Sequence, residues 1–355
     1  VFGGTVISGN RVIVGMNNGA GFLPRLPSTV DLGCLVCFDR DTGDFMWQHS
    51  TSKLKTGRVH DWPQQGIFST PCIDGERLWY VTNRAEIVCL DTEGFSDDQN
   101  DGPFKDEEIA EGHEADVVWK IDMMGDFGVS PHNASACSPT TDGTRLFIIT
   151  GNGVDESHVK IPNPKAPDFL CLDRDTGKVL WTAQPVGERL LHGSWSSPAY
   201  GVIKGQPTVL MGGGDGWLYA YDPAGDGEGH AKLLWKFDCN TKDAIWALGG
   251  RGDRNPYVAT PVIHDGKIYV RTGQDPEHGE GDGDLWCIDP FKNHDPGAAW
   301  TGNDLSESMV FHIDETQKVT GPLPVRRLQN LDKTKGEVAF PNQESAVVWH
   351  FDGQD

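Results

Sequence analysis

Positive charge is scarce in this sequence: 30 Lys and Arg stand against 52 Asp and Glu among 355 residues, a formal net charge of -22. Nucleic-acid binding draws on clustered Lys and Arg, so the shortage excludes nucleic acid as a partner. The excess acid itself reads as a solubility device. Long apolar runs are missing too, and without a stretch of about 18 such residues there is no membrane span. The sequence has no Gly-x-x-x-x-Gly-Lys-Ser/Thr, no His-Glu-x-x-His and no Gly-x-Ser-x-Gly, which removes support for P-loop, zincin and α/β-hydrolase chemistry. Cys-x-x-Cys-His is likewise absent, so covalent haem is excluded. The opening Val1-Phe2-Gly3-Gly4-Thr5-Val6-Ile7 reads as a strand and not as a signal peptide, and the start is expected to be that of a fragment or processed product.

What is plentiful is turn chemistry and tryptophan: 44 Gly, 22 Pro and 12 Trp, a composition that suits many short strands better than long helices. A repeat runs through it. Its first anchor is a small hydroxyl residue before proline, at Thr70-Pro71, Ser138-Pro139, Ser197-Pro198 and Thr260-Pro261, with gaps of 68, 59 and 63 residues. A turn and a β-rich segment follow each, as in Asp74-Gly75 before Leu78-Trp79-Tyr80-Val81, giving one hairpin per repeat. The second anchor is a strand ending in Asp: Cys37-Phe38-Asp39, Cys89-Leu90-Asp91, Cys171-Leu172-Asp173, Ala220-Tyr221-Asp222 and Cys287-Ile288-Asp289. Asp39 and Asp173 open an Asp-x-x-Thr-Gly turn that leads to Trp47 and Trp181; Trp119, Trp235 and Trp349 hold the same outer-strand place. Five copies of a four-stranded unit predict an all-β fold, a β-propeller of four-stranded antiparallel blades.

The string Ala/Cys-x-Asp-x-x-Thr-Gly-x-x-x-Trp resembles the tryptophan-docking repeat of the quinoprotein alcohol dehydrogenase superfamily. It is similar also to the repeats of the outer-membrane assembly propeller lipoprotein and of pyrroloquinoline-quinone-like propeller proteins. The resemblance implies a propeller of seven or eight blades in a periplasmic or extracellular protein. Five are countable here, at approximately 1-48, 66-122, 134-183, 194-238 and 257-352, so residues 1-355 are expected to form a single incomplete propeller domain. The other two or three blades are then missing from this sequence or come from another chain.

Cys37, Cys89, Cys171 and Cys287 fall where the fourth repeat has Ala220, each a small buried residue in its own blade and beyond the disulfide Cα reach of about 4.4 to 6.8 Å. Cys34 and Cys37, three apart on a strand, point to opposite faces and are not read as a zinc or redox pair. Such thiol-rich usage sits awkwardly with an oxidising compartment.

Loops entering the innermost strands of a propeller crowd one face around the channel mouth, the default site for a small molecule or protein partner. Six residues before each anchor proline stand Gln65, Asn133, His192 and Asn255, all capable of hydrogen bonding. Around them lie Arg58, His60, Asp61, Trp62, Gln64, His132, Trp195, Trp246, Arg251, Asp253, Arg254 and Tyr257, enough amides and aromatics to hold a planar polar ligand. The same groups also suit a plainer role, satisfying loop backbone.

Thr150-Gly151-Asn152-Gly153 resembles the stretch whose Asn ligates calcium in quinoprotein alcohol dehydrogenases, which makes Asn152 the candidate metal ligand and pyrroloquinoline quinone (PQQ) with calcium the cofactors the resemblance implies. His192-Gly193-Ser194-Trp195-Ser196 aligns with that family's His-Asp-x-x-Trp-Asp segment but has no carboxylate where the general base should stand. Adjacent cysteines are missing as well. The expectation is a propeller that binds a ligand or partner, with a calcium- and quinone-dependent alcohol or sugar dehydrogenase, or a scaffold or sensor within a larger protein, as the alternatives.

Three further features complete the reading. Residues 277–284 offer hard oxygen ligands for calcium without an EF-hand pattern and read as a solvated loop. Arg251-Gly252-Asp253 and Asn133-Ala134-Ser135 are short strings of little force. The insertions 92-116 and 290-344 fit partner contacts or disordered surface loops equally.

Overall fold

A computed structural model describes residues 3–248, 252–274 and 283–352. The chain is a β-propeller, and each blade is a sheet of four antiparallel strands in chain order. Blade 1 comprises Val6–Ser8, Arg11–Asn17, Leu32–Asp39 and Phe45–Ser52. Blade 2 comprises Cys72–Asp74, Arg77–Val81, Glu86–Asp91 and Val117–Asp122. In blade 3 the strands are Thr140–Thr141, Arg145–Ile149, Phe169–Asp173 and Val179–Ala183. Blade 4 has Ala199–Ile203, Gln206–Gly212, Trp217–Asp222 and Lys232–Asp238. Blade 5 has Val262–His264, Lys267–Arg271, Leu285–Ile288 and Val347–Phe351.

The repeated residues meet one local demand in every blade. On the third strand the small residue faces the outer-strand indole: Cys37 pairs with Trp47, Cys89 with Trp119, Cys171 with Trp181, Ala220 with Trp235 and Cys287 with Trp349. A larger side chain there would collide with the ring across the pair. Immediately after each small residue the register shifts, a bulge that adds twist. The Asp that follows closes the turn with its own carboxylate in blades 1 and 3: Asp39 Oδ1 accepts the N–H groups of Asp41 and Thr42, and Asp173 Oδ1 accepts the N–H and Oγ1–H of Thr176. These bonds hold both carboxyls below the usual range. The cysteines are free thiols, and burial pushes Cys37 and Cys171 up to about 12, so they pack as small apolar groups.

Two seams join consecutive blades. Near the axis the hydroxyl anchors link in series: Gly4 N–H donates to Thr70 Oγ1 at 2.7 Å, Thr70 N–H to Ser138 Oγ at 3.0 Å and Ser138 N–H to Ser197 Oγ at 2.9 Å. Further out, the indole N–H groups of blades 1 to 3 donate to the carbonyl following the next blade's strand-ending Asp. The pairs are Trp47 to Thr92 at 2.9 Å, Trp119 to Arg174 at 3.2 Å and Trp181 to Pro223 at 3.0 Å. The ring then lies on a glycine of that turn. A Cβ on Gly94, Gly177 or Gly225 would sit 3.0, 2.8 or 2.9 Å from Trp47, Trp119 or Trp181. Trp235 is buried with Ile268, Val270 and Trp286 of blade 5, whereas Trp349 is 42% exposed.

Both long insertions have defined backbone structure and reach back to the preceding blade. Residues 113–115 bond Gln48 on the outer strand of blade 1, and Asn303–Asp304 lies parallel to Trp235 and Lys236 of blade 4. An open strand edge is thereby covered. The second insertion also folds a three-stranded sheet of Ser308–Ile313, Val319–Thr320 and Glu337–Pro341.

The seam is testable at its glycines. Gly43 and Gly177 occupy equivalent turns with positive φ, but a Cβ meets nothing within 4 Å at Gly43 and meets Trp119 at Gly177. Gly43→Ala is expected to cost about 1–2 kcal/mol from left-handed strain alone, and Gly177→Ala about 1–3 kcal/mol more from overpacking. Urea unfolding measures both; equal costs would show that the indole does not depend on that glycine.

Candidate functional site

Loops on the strand-entry face are stitched to one another in chain order. Trp62 N–H donates to Asn133 O, Val154 N–H to His192 O, Ser194 N–H to Asn152 O and Leu191 N–H to Gly214 O. Asn133 holds a left-handed φ of 61° between these strands of contact, and its N–H donates to Val59 O at 2.8 Å.

At the junction of blades 3 and 4 three imidazoles converge. His132 comes from the loop entering blade 3, His158 from the loop between its second and third strands, and His192 from the loop entering blade 4. His132 Nε2 and His158 Nε2 are 3.1 Å apart. Ring centroids of His192 lie 4.5 Å from His132 and 4.9 Å from His158. His132 and His192 are buried, and His158 is half-buried at the surface.

Each imidazole is held by its own loop. His132 Nδ1 lies 2.8 Å from Val154 O; donation to that carbonyl places the N–H on Nδ1 and leaves the Nε2 lone pair toward His158. Asp155 shapes the loop that presents His158: its Oδ1 accepts Ser157 N–H and Oγ–H and Lys160 N–H, while its carbonyl accepts His158 N–H. His158 itself adopts a φ of 60°, a conformation that non-glycine residues hold at a cost of order 1 kcal/mol. Beneath the cluster Gly153 pairs with Gly193. A Cβ on Gly153 would stand 2.5 Å from His132 Cβ, and one on Gly193 2.6 Å from the Trp195 ring, so glycine permits both approaches. Trp195 closes one side, edge-on to His192 at 4.7 Å, and its Nε1–H donates to His132 O at 3.0 Å.

The second insertion clamps this site from blade 5. Arg327 donates through Nε to Leu190 O at 2.7 Å, through Nη2 to Leu191 O at 3.5 Å and through Nη1 to Val159 O at 3.4 Å. It thus holds the backbone beside both His192 and His158. Sequence reading named His132, His192 and Trp195 but neither His158 nor Arg327. The repeat could not have found them, because neither occupies a position that recurs.

The other candidate residues lie apart from this cluster. Gln65 is on the blade 1 side, its carbonyl accepting Lys53 Nζ at 3.0 Å. Arg254 and Asn255 are buried. Arg254 donates to Asp215 O and faces Asp238 Oδ1, while Asn255 N–H donates to Asn240 Oδ1. Of the mouth residues named from sequence, Arg251 and most of the acidic run, Glu277 to Asp282, lie outside the described residues.

Asn152, the residue aligned with a calcium ligand, is buried with both ends of its carboxamide engaged. Its Oδ1 accepts Ser130 N–H at 3.0 Å and its Nδ2 donates to Asn163 O at 3.0 Å. Calcium requires several oxygen ligands, and the groups bonded to the Asn152 carboxamide are Ser130 N–H and Asn163 O, a single further oxygen. The described residues around Asn152 therefore do not fit the calcium of a quinone site.

Buried carboxylates around this face already have partners. Asp61 is ion-paired with Lys53 and accepts from Leu54 N and Asn83 Nδ2. Asp215 accepts from Arg189 and Tyr219, and Asp238 from Lys242 and Asn330. Asp168, below the Thr150 turn, is pushed up to about 7 by burial, against the N–H donors of Val186 and Gly187. At 1% exposure it cannot meet a substrate.

The fold is similar to that of the quinoprotein alcohol dehydrogenase-like propellers. It is 23% identical over 299 residues to the polyvinylalcohol dehydrogenase of Sphingopyxis sp. (strain 113P3), covering 72% of this chain and 40% of that protein. The chain thus spans less than half the length of that relative. Among solved structures, BamB from Moraxella catarrhalis overlays with a TM-score of 0.44 at 14% identity, covering 98% of this chain and 72% of that one. The quinohemoprotein alcohol dehydrogenase ADHIIG from Pseudomonas putida HK5 overlays at 0.46 with 15% identity, covering 81% and 51%. No family model matches the chain.

Asp168 makes stability depend on pH. Its folded pKa of about 7 lies above the unfolded value of about 3.9, so between those limits the unfolded chain binds fewer protons and stability falls as pH rises. Asp168→Asn removes the charge yet keeps an oxygen for Val186 N–H. Melting curves should show the variant gaining on the parent at pH 8 relative to pH 4; an equal difference at both would remove Asp168 as the cause.

Proposed function

We propose that the chain is an exported propeller that binds a ligand or partner through its loop face and lacks the standard dehydrogenase catalytic set. The observation that carries this is the state of the carboxylates. The resemblance to quinoprotein alcohol dehydrogenases implies a carboxylate as general base, which must lie within hydrogen-bond reach of the substrate hydroxyl, and the buried carboxylates on this face are held by Lys53, Arg189, Lys242 or backbone N–H groups. Toward the surface the same loops present imidazole and indole at His158 and Trp195, groups that recognise polar ligands. On the same reading the uncovered Trp349 and its neighbours Phe351 and Val262 seat against a further sheet of a larger propeller.

A second reading, a PQQ- and calcium-dependent alcohol or sugar dehydrogenase, is favoured by the sequence likeness to polyvinylalcohol dehydrogenase. Its metal would have to come from residues other than Asn152, whose oxygen is taken by Ser130.

One experiment separates the two. The protein is incubated with PQQ and calcium, freed of excess, and assayed for bound quinone and for dye reduction with alcohols, aldoses and polyvinyl alcohol. The binding-module reading expects neither bound quinone nor turnover from a folded protein. Stoichiometric quinone with turnover would establish the dehydrogenase instead.

A further inference from the structure

We propose that His132, His158 and His192 form a site for a divalent transition-metal ion of the zinc class, open to an exogenous ligand at a fourth position. The ligand atoms of the three residues all lie within 4.8 Å of one another. Zinc–nitrogen bonds of about 2.0–2.1 Å in a tetrahedron place ligand nitrogens about 3.3–3.4 Å apart. The observed Nε2–Nε2 separation of 3.1 Å between His132 and His158 is near that edge, and small rotations of the rings would admit an ion.

The surroundings agree with this use. A metal-bound imidazole commonly donates its other N–H to a carbonyl, which fixes the ring and its tautomer. His132 makes that bond to Val154 O. Imidazole suits zinc, copper and nickel, while magnesium and calcium prefer carboxylate and carbonyl oxygen. Gly153 and Gly193 remove the Cβ atoms that would fill the space beneath, Trp195 walls the apolar side, and half-buried His158 provides the way in from solvent. Three protein ligands leave room for water or a ligand, as in catalytic rather than structural zinc sites. This inference goes beyond the binding-module reading and does not need it, because its probe is the metal alone.

Among the described residues a second cluster, Asp226, Glu228 and His230, is fully exposed and must be separated from the first. The test therefore uses a His230→Ala background. The chelator-treated full chain is titrated calorimetrically with zinc chloride in the presence of excess calcium, and cobalt is added in parallel to read the visible spectrum. One equivalent of zinc and a tetrahedral cobalt spectrum are expected, with affinity reduced by about 100-fold or more when His158→Ala is added. His158 is at the surface, and a far-ultraviolet melt checks that this variant folds. Cobalt spectra of the His230→Ala protein alone provide an independent reading. No saturable zinc binding in the His230→Ala protein, or unchanged binding after His158→Ala, would overturn the site and leave a hydrogen-bonded imidazole chain.

Discussion

The indole seam governs how this sequence closes. A buried Trp contributes roughly 3–5 kcal/mol, but burial alone has no direction. The bond from Trp47, Trp119 or Trp181 Nε1 to a carbonyl of the next blade supplies direction, because an unpaired buried N–H costs about 1–3 kcal/mol. Wrong stacking leaves that donor unsatisfied. The glycine under each ring sets the distance, and the hydroxyl series from Gly4 to Ser197 sets the angle on the inner side. Two rows of contacts at different radii fix one sheet against the next, and the loops follow from that placement.

Most of the fold was legible for the same reason. Each repeated residue answers a demand that the blades make again: small before the bulge, Asp at the turn and indole on the outer strand in all five, and hydroxyl before proline in blades 2 to 5. The hydroxyl anchors were visible as spacing, yet their purpose lies in bonds to a neighbour 66, 68 and 59 residues away, which no single repeat displays. The insertions hid their structure. Their text lacks period, and their strands exist because the outer edges of blades 1 and 4 offer backbone partners at Gln48 and at Trp235 and Lys236.

The site was less legible. Counting six residues back from each proline found His192, but it treated four loops as one kind of object. Their depth depends on what each packs against: Asn133, at a φ of 61°, is half-buried, while Asn255 is fully buried and bonded to Asn240. His158 is placed by the Asp155 turn, and Arg327 reaches Leu190 across 137 residues. The Thr150-Gly151-Asn152-Gly153 stretch lies beside the histidine loops, with Gly153 paired to Gly193. Gly153 lets the His132 backbone and Cβ approach, and the Asn152 oxygen accepts Ser130 N–H.

The second insertion ties these levels together. It leaves blade 5 after Asp289, covers the outer edge of blade 4, and returns over the loop face before the last strand begins at Val347. On the way Leu328 O accepts Trp246 N–H, Asn330 Nδ2 donates to Asp238 Oδ2, and Arg327 bonds the carbonyls beside His158 and His192. Loops at a channel mouth ordinarily move more than the sheets that carry them. Here a segment anchored in one blade bonds the backbone of two others, so opening the histidine loops also breaks contacts with blade 5. The outer strand that ends the last blade and the imidazoles between the third and fourth are thus parts of one mechanical unit.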